Sequence, residues 1–135
     1  MHPALRNTIV VILSILAGGL LNGMIIEISP KLIAPPEGAD LTTEEGLIAG
    51  MKLMEPKHFL LPFLAHALGT LAAAWLIAKF AANRQTVLPY LAGFLFLIGG
   101  IMMVMILPSP LWFTLTDLLL AYLPMAWLGI KLAGK

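Results

Sequence analysis

Length, composition and charge exclude most soluble classes of protein for this chain. Of its 135 residues, 60% are hydrophobic and 11% are charged, whereas charged residues make up about 25% of a typical soluble domain. The net charge of +1 comes from basic residues scattered between apolar segments, so we expect no nucleic-acid partner. The absence of cysteine excludes disulfides, thiolate metal sites and cysteine nucleophiles, and the lipid bilayer is the expected environment of most of the chain.

The first apolar segment covers residues 8–29, which is long enough to cross a bilayer because a spanning helix needs about 20 apolar residues. Pro30 is expected to end this helix. The small residues at 17–19 resemble a signal-peptide cleavage site, but the apolar run continues to Ile28. We therefore predict an uncleaved membrane-spanning helix.

The connection that follows, residues 30–57, is the only long one. Residues 34–38 are typical of a turn, and Thr42 with Glu45 three positions later matches a capping box, which predicts the start of a short helix. The apolar residues after it recur at helical spacing, at Leu47, Ile48, Met51 and Met54. We expect an amphipathic helix on the membrane surface that closes the mouth of a helix bundle, with a mobile lid as the alternative.

Three more apolar segments of about 20 residues follow, at residues 58–80, 88–107 and 111–130. Pro108 and Pro110 leave room only for a tight hairpin between the last two, so these helices should be antiparallel neighbours. The prediction is an all-α integral membrane protein with a single domain. It is a four-transmembrane-helix bundle with a short amphipathic helix in its first external loop.

The distribution of basic residues predicts the orientation. Five of them fall on one side of the four-span arrangement, at Arg6, Lys79, Arg84, Lys131 and Lys135. The other side has three, in a connection that also carries five acidic residues. Because loops rich in Lys and Arg stay in the cytoplasm, we predict a multi-pass protein of the cell membrane with both termini cytoplasmic.

Prolines and small residues inside the predicted helices indicate how the bundle packs. Pro62 and Pro124 should each bend their helix or free a backbone carbonyl, which a neighbouring group can satisfy. Membrane helices associate through small residues, which here are Gly19, Gly23, Ala65, Gly69 and Ala73. These residues serve either packing inside one bundle or a homo-oligomer through Gly19, Gly23 and Gly69. Beyond the bilayer, a second copy is the only partner that we predict.

Polar residues in the outer half of the predicted helices are the strongest functional signal. A charged group at the centre of a bilayer costs about 2.5–3.5 kcal/mol, so such groups should face protein or water. At 1.5 Å per residue, His66, Asp117 and Asn22 lie about 12, 9 and 10 Å below their helix ends, and Glu27 about 3 Å. Tyr122 continues this set further inward. We predict that these five residues form one polar cluster that binds a ligand or protons, and the alternative for the shallow Glu27 is that it only snorkels into the lipid head groups.

Two interpretations of His66 and Asp117 remain open. They form either a hydrogen-bonded pair that fixes the helices or a group that transfers protons or contacts a ligand. We favour a channel, transporter or binding protein for a small solute or protons. One alternative is a membrane-embedded enzyme acting on a lipid-like substrate with His66 as general base, although no nucleophile accompanies it. The other is a structural or accessory subunit.

Methionines near the outer end of the third helix raise the question of a metal. Met102, Met103 and Met105 with a histidine would suit a cuprous ion. Methionine at helical spacing is more commonly a packing residue, however, and no recognised copper spacing is present. We therefore predict no metal site and no cofactor.

Overall fold

The computed structural model describes residues 1–135 as an all-helical fold without strands. Its helices are α1 (Pro3–Leu32), α2 (Glu44–Met51), α3 (Leu60–Phe80), α4 (Pro89–Ile106), α5 (Leu111–Leu120) and α6 (Leu123–Leu132), and a 3₁₀ turn, Pro56–Phe59, leads into α3. Four helical segments are long and apolar enough to cross a membrane, namely Pro3–Leu32, Pro56–Phe80, Pro89–Ile106 and Leu111–Leu132. The predicted helical class and the number of long apolar segments are confirmed.

The two ends of the bundle differ in their connections. We call the end with residues 33–59 and 107–110 the loop end, and the end with both termini and residues 81–88 the terminal end. At the terminal end, Arg6 Nε donates to the Phe80 carbonyl at 3.0 Å and Asn7 Nδ2 to Asn83 Oδ1 at 2.7 Å. These bonds join the start of the chain to the connection between α3 and α4.

Helix α3 is the centre of the bundle because glycines let both neighbours approach its backbone. A Cβ on Gly69 would lie 2.7 Å from the Gly18 carbonyl oxygen of α1, and one on Gly129 of α6 would lie 2.8 Å from the Trp75 nitrogen of α3. Ordinary side chains do not fit at such distances. Close approach through small residues is the usual way in which helices associate in a bilayer.

The glycines predicted for a homo-oligomer divide into two groups. Gly69 lies inside the α1–α3 contact, which corrects its assignment to a contact between copies, and its partner on α1 is Gly18. Gly19 and Gly23 lie on the open face of α1, where no atom comes within 4 Å of the position that a Cβ would take. A contact between copies through these two residues stays a prediction.

Helix α1 is longer than predicted at both ends. It begins at Pro3 and continues past Pro30 to Leu32, so the expected end at Pro30 is wrong. Proline removes one backbone donor and strains the preceding turn. In the last turn this change is tolerated, since the Ile33 N–H still donates to the Ser29 carbonyl at 2.9 Å.

Helix α2 begins where the capping box predicted a helix, but its cap is Thr43 rather than Thr42. The Thr43 hydroxyl accepts from the Gly46 N–H at 3.0 Å. Thr42 instead turns to Asp40, whose Oδ1 accepts from the Thr42 hydroxyl and from its N–H at 2.9 Å. The hydroxyl bond first, and the backbone bond second, lower the pKa of Asp40 below its ordinary value of 3.8.

The fourth span is interrupted, which corrects the continuous helix predicted for residues 111–130. Helix α5 ends at Leu120 and α6 begins at Leu123, with Tyr122 outside helical geometry at φ −118° and ψ −82°. Pro124 explains the break, because in a continuous helix its ring would clash with the Leu120 carbonyl and it has no N–H to donate. The predicted distortion of this helix at Pro124 is thereby confirmed, and the helix is interrupted there.

Candidate functional site

Three of the predicted residues form one hydrogen-bonded cluster near the loop end. Nδ1 of His66, on α3, lies 2.8 Å from Oδ1 of Asp117 on α5. The Tyr122 hydroxyl donates to the other carboxylate oxygen of Asp117 at 2.9 Å. The Asp117 side chain is only 5% exposed, so these two partners replace the water that would otherwise solvate it.

The break in the fourth span places Tyr122 against Asp117. Residues five apart on a continuous helix differ by about 140° in direction, so their side chains do not meet. The interruption turns the tyrosine back, and its ring packs where a side chain on Gly100 of α4 would otherwise be, since a Cβ there would lie 2.7 Å from the Tyr122 Cζ. The Tyr122 and His66 rings also stack, with centroids 6.0 Å apart.

The contact with Asp117 engages Nδ1 of His66 and leaves Nε2 available. With an ionised carboxylate and a neutral imidazole, Nδ1 carries the proton that is donated to Asp117. Nε2 then presents a lone pair and makes no hydrogen bond within the chain. The His66 side chain is 22% exposed, and the residue lines two adjoining cavities.

Asn22 shares this cavity space without joining the hydrogen-bonded cluster. Its Oδ1 is buried and has no hydrogen-bond partner. The residue lies next to Gly69, where an added Cβ would be 3.0 Å from the Asn22 Cβ. The predicted proximity of Asn22 and His66 is therefore found as a shared cavity wall, not as a bond between them.

The two cavities adjoin at the cluster. The inner cavity has a volume of about 340 Å³ and lies toward the middle of the bundle, where Thr70, Phe96 and Gly99 are among its walls. The loop-end cavity has a volume of about 570 Å³ and reaches up to α2. Both are lined by Asn22, His66, Gly100 and Met103.

Glu27 does not belong to the cluster. It is exposed, lines the loop-end cavity, and makes no hydrogen bond or ion pair within the chain. It lies more than one turn of α1 nearer the loop end than Asn22, and neither His66 nor Tyr122 bonds to it. Glu27 is therefore not bonded to the cluster, and its predicted part in binding a ligand or protons stays a prediction.

Helix α2 covers the loop-end cavity with its apolar side. Leu47 and Met51 of α2, together with Leu41 and Met54 beside it, line this cavity. The apolar stripe predicted for this helix thus packs over the opening of the bundle, as expected for a segment that closes its mouth.

The sequence alone indicated no role for His58, but in the structure its ring makes two contacts. Its Nδ1 accepts from the Glu55 N–H at 2.9 Å, and its Nε2 lies 3.0 Å from the Ala34 carbonyl oxygen. The ring therefore joins the two ends of the segment that carries α2. The spacing of Glu55 and His58 at the start of a helix was the available signal.

The terminal half is packed with apolar side chains. Ala73, Ile77, Ala81 and Ala92 are buried there against one another, and Phe96 packs on them while also lining the inner cavity. Phe96 thus closes the inner cavity on the side of the terminal end. We call the four buried residues, Ala73, Ile77, Ala81 and Ala92, the apolar plug.

The hydroxyl groups near the site already form hydrogen bonds within the chain. The Thr70 hydroxyl donates to the His66 carbonyl of its own helix at 2.8 Å, and Ser109 bonds Thr114 at 2.8 Å. No three His, Asp or Glu side chains converge in an arrangement that could hold a metal ion. The prediction of no cofactor stays a prediction.

Comparison with protein-family models, with curated proteins and with solved structures gives no match for this chain. The cluster and the two cavities are therefore the basis on which its function is inferred.

Proposed function

We propose that this chain is a multi-pass integral protein of the cell membrane that binds a small ligand between its helices. The four long apolar segments support the membrane setting. So do the large apolar side chains exposed around them, for example Leu20, Met105 and Leu119, because contiguous apolar surface of this kind is unstable in water. The excess of basic residues at the terminal end supports a cytoplasmic location for both termini.

The observation that carries the proposal is a pair of unpartnered acceptors in one cavity. Nε2 of His66 and Oδ1 of Asn22 belong to residues that line the inner cavity, and neither atom has a hydrogen-bond partner in the chain. A buried polar atom without a partner costs about 1–3 kcal/mol. A ligand that donates an O–H or N–H to the buried Asn22 Oδ1 recovers that free energy, and it can also donate to His66 Nε2, so the site is suited to a hydrogen-bond donor.

A binding protein fits the packing better than an open pore. The inner cavity ends at Phe96, and the apolar plug fills the bundle between it and the terminal end. An ion or polar solute would have to cross this plug without a partner, which is costly in a low-dielectric interior. Transport would require α1 or α4 to move away from α3.

The binding proposal is tested by recovering the ligand without detergent. The protein is extracted in polymer nanodiscs, and native mass spectrometry measures the molecules that remain bound. We expect a bound species with wild type, and its loss with His66→Gln and with Asn22→Ala at unchanged thermal midpoint. His2→Gln, at the exposed start of α1, is the control. Equal retention by all variants would contradict the proposal.

The orientation is tested separately with reporter fusions. A reporter placed after Lys135 should be cytoplasmic, and one placed between residues 37 and 45 should be external. The reverse pattern would contradict the proposed topology, while leaving the binding site itself unaffected.

A second function is favoured by the hydrogen bond between Asp117 and His66. A carboxylate that orients an imidazole with its other nitrogen free is the arrangement of a general base. His66 would then take a proton from a bound substrate or pass it on. If His66 passes protons across the membrane, a flux assay in liposomes with and without a pH gradient separates this function from binding alone, because only proton transfer across the membrane responds to the gradient.

A further inference from the structure

We infer that the ligand is an uncharged lipid with a hydroxyl head group, which enters sideways through a cleft between α1 and α4. The inference rests on the proposed binding function and adds to it the chemical class of the ligand and its route. It is carried by the shape of the inner cavity, by the two unpartnered acceptors, and by a glycine at the opening.

The cleft exists because α1 has only one close neighbour. It packs along α3 through Gly18 and Gly69, and it touches α4 at few points. Met102, Met103 and Ile106 of α4 line the inner cavity and are also exposed on the outside of the bundle, Met102 by 57%. Since the same side chains face the cavity and the perimeter, the inner cavity opens between these two helices.

Two adjacent glycines on α4 leave room for the opening of the inner cavity and for the Tyr122 ring. Gly100 leaves room for the Tyr122 ring. Gly99 also lines the inner cavity, and no atom lies within 4 Å of the position that its Cβ would take. A side chain there would narrow the cleft without displacing a neighbour.

The position of the opening favours a lipid over a water-soluble molecule. It lies on the apolar perimeter, which faces acyl chains in the proposed bilayer, and apolar side chains surround it. A single chain that lies in the cleft would bring its head to His66 and Asn22. The inner cavity, at about 340 Å³, is within the size range of small-ligand sites.

The charges at the site favour an uncharged donor as the head group. His66 Nε2 and Asn22 Oδ1 both accept, the Asp117 carboxylate lies behind the imidazole, and no Lys or Arg lines the inner cavity, so an anionic head such as a phosphate would have no counter-charge. A cationic head in the inner cavity has no accessible counter-charge there, because Asp117 is 5% exposed with both oxygens bonded, and the exposed carboxylate of Glu27 lines only the loop-end cavity. A hydroxyl donates without carrying a charge and meets both conditions.

The test uses oleyl alcohol with a photoreactive diazirine in its chain. The protein is reconstituted in phosphatidylcholine liposomes, irradiated with the probe, and mapped by peptide mass spectrometry. We expect labels on α1 and α4 around Asn22 and Met102. Unlabelled oleyl alcohol should block labelling at a concentration at least tenfold lower than oleyl methyl ether, which has the same chain but cannot donate. Oleic acid and oleylamine should compete no better than the ether.

Two glycine variants test the route. Gly99→Leu should reduce labelling at least tenfold, whereas Gly19→Leu, on the open face of α1 away from the cavity, should leave it unchanged. Both side chains meet open space, so the thermal midpoint should be preserved in each.

The other outcomes separate the inference from the proposed function. If Gly99→Leu has no effect while Asn22→Ala abolishes labelling, the ligand enters from the loop end; the sideways route is then wrong and the binding function stands. Equal competition by alcohol and ether, or labels spread around the whole perimeter, would overturn the head-group assignment. If labelling survives every variant, both proposals fail.

Crosslinks between two copies through the cleft, suppressed by Gly99→Leu, would overturn the lipid assignment by showing that a second chain occupies the cleft.

Discussion

The loop-end half and the terminal half of this bundle are built from similar apolar helices but differ in what fills them. The loop-end half holds two cavities and the buried polar residue Asp117, and Thr70 lines the inner cavity toward the middle of the bundle. The terminal half holds the apolar plug, with Ile77 fully buried. The difference shows that close apolar packing and open cavity space lie toward opposite ends, and Phe96 lies at the boundary between them.

The largest expected effect comes from a change that disrupts the packing of α1 on α3. In Gly18→Val, the added side chain would collide with the Gly69 carbonyl and with the Ala73 Cβ, which lies 2.8 Å from the new Cβ position. Overpacking of this kind costs about 1–3 kcal/mol, and more when backbone must move; we expect the upper end of that range. The thermal midpoint in bicelles measures it. Gly19→Val, facing open space, should change little, and equal losses would contradict the packing of α1 on α3.

The next effect sharpens the role of the terminal half. Ile77→Ala should lower the free energy of unfolding by about 2 kcal/mol, because it leaves a void in a fully packed plug. Labelling by the alcohol probe should be unchanged. Ile98→Ala, at an exposed position on α4, is the control and should cost far less. Reduced labelling by Ile77→Ala at preserved stability would show that the two halves are coupled.

A smaller effect on stability, with a large effect on binding, is expected in the loop-end half. In Asp117→Asn, the amide can donate to His66 Nδ1, which moves the imidazole proton to Nε2 and removes the acceptor from the cavity. Stability should fall by only about 0.6 kcal/mol, the average for hydrogen bonds between membrane helices, while probe labelling falls more than tenfold.

Glu27→Gln is the matched control for this change, because Glu27 lines the loop-end cavity outside the cluster. It should leave both stability and labelling as they are. If Asp117→Asn instead lowers the thermal midpoint and labelling together, the cluster is architectural, and an accessory or structural subunit becomes the better interpretation.

The smallest expected effect concerns the segment over the loop-end cavity. The bonds from Thr42 lower the pKa of Asp40 in the folded chain. These bonds therefore stabilise the folded chain fully at a pH above the pKa of Asp40 in the unfolded chain, and this stabilisation is lost as the pH falls through the pKa of Asp40 in the folded chain. The start of α2 should therefore loosen only below about pH 4. The chain has no cysteine, so a nitroxide on Lys52→Cys reports the mobility of α2 by electron paramagnetic resonance. In Asp40→Asn this dependence should disappear; an unchanged profile would assign it to other carboxyl groups.

Much of the site followed from residue type alone. His66 and Asp117 were predicted to meet because lipid offers no hydrogen-bond partner, and they do, at 2.8 Å. Glu27 lines the loop-end cavity but makes no bond to the cluster, so its part in binding stays a prediction. Gly18 was overlooked in favour of Gly19, although Ser14, Gly18 and Asn22 recur every fourth residue and form the polar and small face that packs on α3.

The sequence by itself determined the helical class, the number of long apolar segments and the short helix between the first two. These features depend on hydrophobic length and on local capping, which are properties of consecutive residues. Only the tertiary structure decided that Tyr122 turns back to Asp117, that Asn22 Oδ1 stays unpartnered, and that a cavity lies between α1, α3 and α4. Each of these depends on how helices rotate and pack against one another, since adjacent residues on a helix point about 100° apart.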